Sequence, residues 1–116
     1  MTPGNLFDRL PGPVTGEVFE RLLRHRNLLI ERIVSSDRPE PTRYDQGQDE
    51  WILLLQGRAT LELAGETLSL APGDHLFIPA HTPHQVLSTS REPPCLWLAV
   101  HLYPDAAPTE PTRGFG

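Results

Sequence analysis

The sequence predicts an all-β fold, either an antiparallel sandwich or a small barrel. Between residues 44 and 85, short apolar or alternating segments follow one another, each closed by turn residues. This rhythm is typical of antiparallel strands, and no helical period is evident in the same stretch. The turn residues that separate the segments are Gln56-Gly57, Gly65 and Pro72-Gly73.

Length and composition indicate one ordinary domain and exclude several partners. The chain has 116 residues, of which 38% are hydrophobic and 22% charged, with a net charge of −5. Nucleic-acid binders normally present a basic stripe, so no nucleic-acid partner is expected, and no apolar run reaches membrane-spanning length. Cys95 is the single cysteine, so an internal disulfide is excluded. Because the N-terminus also lacks the pattern of a signal peptide, we expect a cytoplasmic protein.

The chain divides into three predicted regions. Residues 1–27 are predicted to form an N-terminal arm and a short helix, residues 28–103 a barrel, and residues 104–116 a flexible, proline-rich tail. Thr15 is a suitable N-cap for a helix from about 16 to 24. The apolar stripe of this helix would consist of Val18, Phe19, Leu22 and Leu23.

Three runs are predicted as long strands of the barrel. Residues 28–34 are rich in β-forming side chains. The segments 51–55 and 96–102 are apolar on both faces, whereas a strand with one solvated face should alternate. The outer face of their sheet therefore needs a cover, either a second subunit or the arm with its apolar residues Phe7, Phe19 and Leu22. We expect both covers to contribute, which predicts a homodimer.

Two spaced patterns carry a resemblance to a known family. Glu50, followed after six residues by Gly57, resembles the second half of the first cupin motif. The second cupin motif is matched at its usual spacing by Gly73, Pro79 and His84. His81 stands where this motif usually has glycine. The chain therefore resembles a small single-domain cupin of the conserved-barrel type over about residues 28–102, which implies an antiparallel jelly-roll β-barrel, a double-stranded β-helix.

The resemblance also implies a metal site, although two of its usual ligands are replaced. A metal-binding cupin offers two histidines separated by one residue, a glutamate, and a histidine from the second motif. Tyr44 and Gln46 occupy the two histidine positions, while Glu50 and His84 match theirs. A carboxylate with imidazoles suits a divalent transition metal, namely Fe, Mn, Ni, Zn or Cu.

Topology supplies candidate replacement ligands. In such a barrel the final strand lies antiparallel beside the strand of Glu50, so His101 should lie level with it. If Trp97, Ala99 and His101 face inward, His101 joins the site. If Leu98, Val100 and Leu102 face inward instead, His101 lies at the surface or an interface. The predicted metal site comprises Glu50, His84, His101, Gln46 and His81.

Several functions are compatible with these residues. The pocket wall is predicted to include Tyr44, Ile52, Phe77 and Val86. A metal-dependent protein that binds or converts a small polar molecule is the first hypothesis. The second is a non-catalytic, metal-free sensor or storage barrel, in which Tyr44, Gln46, Glu50 and the histidines hydrogen-bond a ligand. Because an unpaired buried carboxylate is costly, a further alternative is that Glu50 pairs with His101 or His84 without a metal. Such a pair could also act as general acid and base. The third hypothesis is a partner-binding protein. Whether the protein is an enzyme stays open.

Overall fold

A computed structural model of the chain describes residues 1–12 and 15–105. The described residues form strands and no helix. The eight strands are β1 (Glu17–His25), β2 (Leu28–Ser35), β3 (Asp49–Gln56), β4 (Ala59–Leu63), β5 (Glu66–Leu70), β6 (His75–Ile78), β7 (His84–Thr89) and β8 (Cys95–Leu102). The predicted all-β class is confirmed. Most of the predicted tail, residues 106–116, lies outside the described residues.

The strands form two antiparallel sheets. One sheet has five strands in the order β1-β2-β8-β3-β6, and the other has three in the order β5-β4-β7. The hydrophobic core takes buried side chains from the inner faces of both sheets, as in a sandwich or closed barrel. Its members are Ile33, Ile52, Leu54, Ala59, Leu61, Leu70, Ile78, Val86, Cys95, Trp97 and Ala99.

The burial pattern of β8 shows which of its alternating residues face the interior. Trp97, Ala99 and His101 are fully buried, whereas Leu98 and Val100 between them are only partly buried. Trp97 also donates a hydrogen bond from Nε1 to Ser35 Oγ at 3.0 Å, which satisfies its one polar atom inside the core. Of the two parities that the sequence left open, the structure has the one that turns His101 inward.

The predicted N-terminal helix is wrong. Residues 17–25 form β1, which pairs antiparallel with β2 from Glu17↔Ser35 to His25↔Leu28. The register shifts between Arg21 and Leu23, so one extra residue is inserted into the strand at a β-bulge. The bulge interrupts the two-residue alternation, and the apolar residues on either side of it imitate a helical stripe. Pairing with β2 satisfies the backbone of this segment.

The outer face of the five-stranded sheet is covered only in part by the N-terminal arm. Arg32 points outward from β2 and donates to the carbonyl oxygens of Leu6 (3.1 Å) and Asp8 (2.6 Å), which fastens the arm to the sheet. However, Phe7 stays 54% exposed and Leu22 42% exposed, so neither covers the sheet as predicted. Phe19 packs against the hydrophobic core.

An apolar surface remains on the other half of this face. We call it the outer apolar face, and it consists of Trp51, Leu53, Phe77, Leu98, Val100 and Leu102, of which Phe77 is 53% and Leu102 39% exposed. The homodimer stays a prediction that this face motivates. In the described ranges, no helical segment has the length and hydropathy to cross a bilayer.

Gly57, the glycine of the first motif, is required by close packing. Its φ is +89°, in the left-handed region that favours glycine. A Cβ placed here would lie 2.8 Å from Ser90 Oγ and 2.9 Å from the Cα of Cys95. The tight approach fixes the turn between β3 and β4 against the start of β8.

Candidate functional site

Six buried polar residues occupy one region of the barrel interior, and we call them the interior polar cluster. They come from four strands and from the segment that precedes β3. None is more than 5% exposed, although polar side chains are rarely buried to this extent. The members are Glu31 on β2, Gln46 and Gln48 before β3, Glu50 on β3, His84 on β7 and His101 on β8.

Glu50 and His101 lie opposite each other in the β3–β8 ladder. Both side chains are fully buried, and Glu50 Oε2 lies 3.7 Å from His101 Nε2. This separation exceeds a hydrogen bond but allows a strong charge interaction inside a protein. The level position of the two residues agrees with the topology expected from the sequence.

Glu31 is the hydrogen-bond partner of His101. Glu31 Oε1 lies 3.0 Å from His101 Nε2, and both side chains are at most 1% exposed. On the other side of the ring, Gln48 Nε2 lies 3.3 Å from His101 Nδ1. The ring also stacks on Tyr103, with the centroids 6.2 Å apart. His101 is therefore held by polar contacts at both nitrogens.

Gln46 is hydrogen-bonded to Glu50, and one oxygen of each side chain has no hydrogen-bond partner. Gln46 Nε2 donates to Glu50 Oε1 at 2.8 Å. The amide oxygen of Gln46, Oε1, and the second carboxylate oxygen of Glu50, Oε2, are buried without a hydrogen bond. Because orphaned buried oxygens cost about 1–3 kcal/mol each, this is where the cluster can accept a hydrogen bond or a cation.

His84 stands at the same end of the barrel. Its Nδ1 lies 2.9 Å from the carbonyl oxygen of Thr82, and since a carbonyl can only accept, Nδ1 carries the proton. In the neutral ring the lone pair is then on Nε2. Tyr44 forms a bridge with His84 through the backbone and stacks on its ring at 5.7 Å.

Burial controls the ionisation of Glu50. The loss of hydration raises the pKa of its carboxyl above the ordinary value, while His101, the Gln46 hydrogen bond and His84 each act to lower it. The nearby Glu31 carboxyl adds a smaller upward effect. Glu50 is thus a carboxyl for which a positive partner would be strongly favourable.

The structure brings together four of the five predicted metal ligands, namely Gln46, Glu50, His84 and His101. The expectation for His81 is corrected, because its side chain is 76% exposed and its Nδ1 lies 3.3 Å from Asp45 Oδ1 at the surface. His81 has a φ of 60°, which explains why glycine is usual at this position of the motif.

The predicted pocket wall is also corrected at one position. Phe77 is 53% exposed, because it pairs with Trp51 on the outer face of the sheet. Ile52 and Val86 are buried in the core, and Tyr44 borders the interior polar cluster through His84.

Sequence reasoning missed Glu31. The sequence does contain an indication of its role. Glu31 is a carboxylate inside the apolar run of β2, and it lies on the same side of the strand as the buried Leu29 and Ile33. The β-forming composition of this run predicts a strand and assigns no role to its one inward carboxylate. Gln48 was missed as well, because the spacing of the first motif assigns no role to it.

The residues at this site form an incomplete set of metal ligands, although three of them carry suitable donor atoms. Among residues 1–12 and 15–105, no group of three or more His, Cys, Asp or Glu side chains is arranged to hold a metal ion. Glu50 and His84 supply one carboxylate and one imidazole, and the orphaned amide oxygen of Gln46 supplies a third donor. Carboxylate oxygen and imidazole nitrogen are common ligands of divalent ions, and the amide oxygen of Gln46 is the weakest donor of the three.

Comparison with known proteins identifies the fold family. A family described as "Cupin domain" matches residues 31–101, well over half of the chain. The chain belongs to the cupin family. This cupin is 39% identical to a protein of Ralstonia eutropha JMP134 provisionally named a mannose-6-phosphate isomerase. The match covers 89% of this chain and 99% of that one, with a TM-score of 0.82.

More distant structures share the fold alone. A cupin superfamily protein of Desulfitobacterium hafniense DCB-2 is 20% identical, with 81% of this chain and 84% of that chain covered and a TM-score of 0.70. The iron(II) form of HppE is 17% identical, with 75% of this cupin and 50% of that chain covered and a TM-score of 0.65. No protein of curated function matches the sequence significantly.

Proposed function

We propose that this cupin binds a divalent transition metal and a small polar molecule at the interior polar cluster. Glu50, Gln46 and His84 would hold the metal. One observation carries the proposal: Glu50 Oε2 and Gln46 Oε1 are buried without a hydrogen-bond partner, in two groups that are in direct contact. A cation bound by both oxygens would offset the cost of burying them.

His84 has the attributes of a metal-binding imidazole. Its Nδ1–H donates to the Thr82 carbonyl, an arrangement that commonly orients histidines that bind a metal through Nε2. One imidazole nitrogen with two oxygens suits Fe, Mn, Ni, Zn or Cu more than a soft, thiolate-binding ion.

A metal at this position would supply a Lewis acid that polarises an oxygen of the bound molecule. The residues of this chain would do the rest. Gln46 and Glu50 orient the ion, and the apolar core that surrounds the cluster excludes water. The name of the Ralstonia relative and the iron(II) in HppE support a small polar substrate and a metal, respectively.

A metal-free binding barrel is the second candidate, and a specific contact favours it. His101 Nε2 already lies 3.0 Å from Glu31 and 3.7 Å from Glu50. The His101 N–H would compensate part of the buried negative charge without any metal. In this case the orphaned oxygens of Gln46 and Glu50 accept hydrogen bonds from a ligand, and Glu50 and His101 form an acid–base pair.

Elemental mass spectrometry of protein purified without a metal-affinity column separates the two candidates. We expect near-stoichiometric metal in the wild type, loss of it in His84→Ala, and retention in His81→Ala. The last variant is a matched control because His81 lies three residues away and is exposed. A wild type that stays metal-free after reconstitution would contradict the metal site and favour the metal-free barrel.

We also propose a cytoplasmic homodimer. The buried, single Cys95 is compatible with a reducing compartment. The outer apolar face offers a surface that a second subunit would cover.

A further inference from the structure

The two nitrogens of His101 are both engaged. Nε2 contacts Glu31 Oε1 at 3.0 Å, and Nδ1 contacts Gln48 Nε2 at 3.3 Å. A metal ligand needs a nitrogen lone pair that is free to point at the ion. The contacts of His101 therefore indicate a role other than coordination, although its place beside Glu50 suggested a ligand at the sequence level.

The contacts also define the tautomer of the ring. An amide nitrogen can only donate, so Gln48 donates to Nδ1, and Nδ1 is the acceptor. The ring proton must then be on Nε2, where the carboxylate of Glu31 accepts it. This same N–H lies 3.7 Å from the orphaned Glu50 Oε2.

We infer that Glu31 is a positioning residue: it holds His101 in the Nε2–H tautomer beside Glu50, so that His101 is the hydrogen-bond donor of the site and not a metal ligand. The inference rests on the proposed function only in placing the ligand at Glu50. Anything bound to Glu50 Oε2 then lies near the His101 N–H, which it would share with Glu31, and near the amide oxygen of Gln46. A hydroxyl group, which both donates and accepts, has the chemistry that this pair of atoms selects.

A purely structural role explains Glu31 less well. The neighbouring inward positions of β2, Leu29 and Ile33, are filled by fully buried apolar side chains. Proteins in which apolar residues replace buried charged groups are commonly as stable as the original or more stable. Stability alone therefore does not account for a buried carboxylate at this position. Its carboxylate contacts the ring that faces Glu50.

The first test is the tautomer of His101, measured by ¹⁵N-histidine NMR on the full-length protein as purified and again after chelation. The signal is assigned by its loss in His101→Gln. We expect Nε2 to be the protonated nitrogen in the wild type. Glu31→Gln should keep this tautomer, because an amide oxygen still accepts the N–H. In Glu31→Leu only Gln48 still favours it, so the fraction of rings protonated on Nδ1 should rise.

Two results would overturn the inference. One is a wild-type ring protonated on Nδ1 alone, which needs no variant and is informative even if Glu31→Leu does not fold. The other is an unchanged tautomer in a folded Glu31→Leu protein.

The second test is the metal content of His101→Gln. We expect it to match the wild type, whereas His84→Ala loses metal. A parallel loss in His101→Gln would show that His101 is a ligand and would overturn the inference. If the wild type itself holds no metal, the proposed metal site fails while the tautomer measurement still decides the role of Glu31.

Discussion

Glu50 and His101 face each other across the β3–β8 ladder, with Glu50 Oε2 and His101 Nε2 3.7 Å apart in a fully buried site. His101 links this carboxyl to a second one, Glu31, at 3.0 Å. Three ionisable groups thus meet inside a barrel whose other inward residues are mainly apolar. Burying three ionisable groups together costs free energy, so a functional role is expected for them.

Glu17 makes stability depend on pH. Burial, with help from the Glu40 and Glu50 carboxyls, raises the pKa of Glu17 from 4.5 to about 7, although its hydrogen bond to Ser35 acts in the opposite direction. The folded state therefore holds the proton of Glu17 more tightly than the unfolded state does. The contribution of protonated Glu17 to the free energy of unfolding is fully present below pH 4.5 and is lost as the pH rises through about 7. The loss amounts to at most about 3 kcal/mol.

The check is urea unfolding of wild type and Glu17→Gln at pH 5 and pH 8. We expect Glu17→Gln to lose less stability between the two pH values than the wild type does. Some dependence should remain, because the pKa of Glu50 is raised as well. Equal pH dependence in both proteins would rule out this role for Glu17.

Gly57 and Gly65 form a matched pair for testing the motif glycine. Both have positive φ, +89° and +83°, but only Gly57 would place a Cβ within 3 Å of neighbouring atoms, whereas nothing lies within 4 Å at Gly65. Gly65→Ala should cost about 1 kcal/mol from backbone strain alone. Gly57→Ala should cost more than about 2 kcal/mol, because the clash with Cys95 adds to the strain. Similar losses in thermal and urea unfolding would contradict the packing argument.

Arg32 should fasten the N-terminal arm. It is 7% exposed and bonded to the arm and to Glu20, whereas Arg43 forms an exposed pair with Glu62. Arg32→Met is expected to lower the free energy of unfolding by about 1–3 kcal/mol and to speed amide exchange in residues 5–9. Arg43→Met should change it by less than about 0.5 kcal/mol. Unchanged exchange in the arm of Arg32→Met would show that other contacts hold it.

The outer apolar face should carry the homodimer. Phe77→Glu places a charge at the most exposed residue of this face and is expected to give a monomer in light scattering coupled to size-exclusion chromatography. Leu87→Glu is the control, because Leu87 is also exposed, at 42%, but lies on β7 in the other sheet. A monomeric wild type, or dissociation by Leu87→Glu alone, would contradict this interface.

Much of the barrel could be predicted because its signals are local. Strands and turns follow from side-chain alternation and from residues such as Gly57 and Gly73, whose positive φ is a property of the turn itself. The level position of Glu50 and His101 also followed from the sequence, once the resemblance supplied the order of the strands.

Other features depended on contacts between distant segments. The bulge after Arg21 became visible only when β1 paired with β2, and Phe77 was assigned outward only when β6 paired with β3. The role of Glu31 depends on a ring that lies 70 residues further along the chain. The sequence by itself determined which residues form strands and where the chain turns, because both are set by neighbouring residues. Only the tertiary structure decided which buried polar groups meet, because pairing across the sheet fixes those distances.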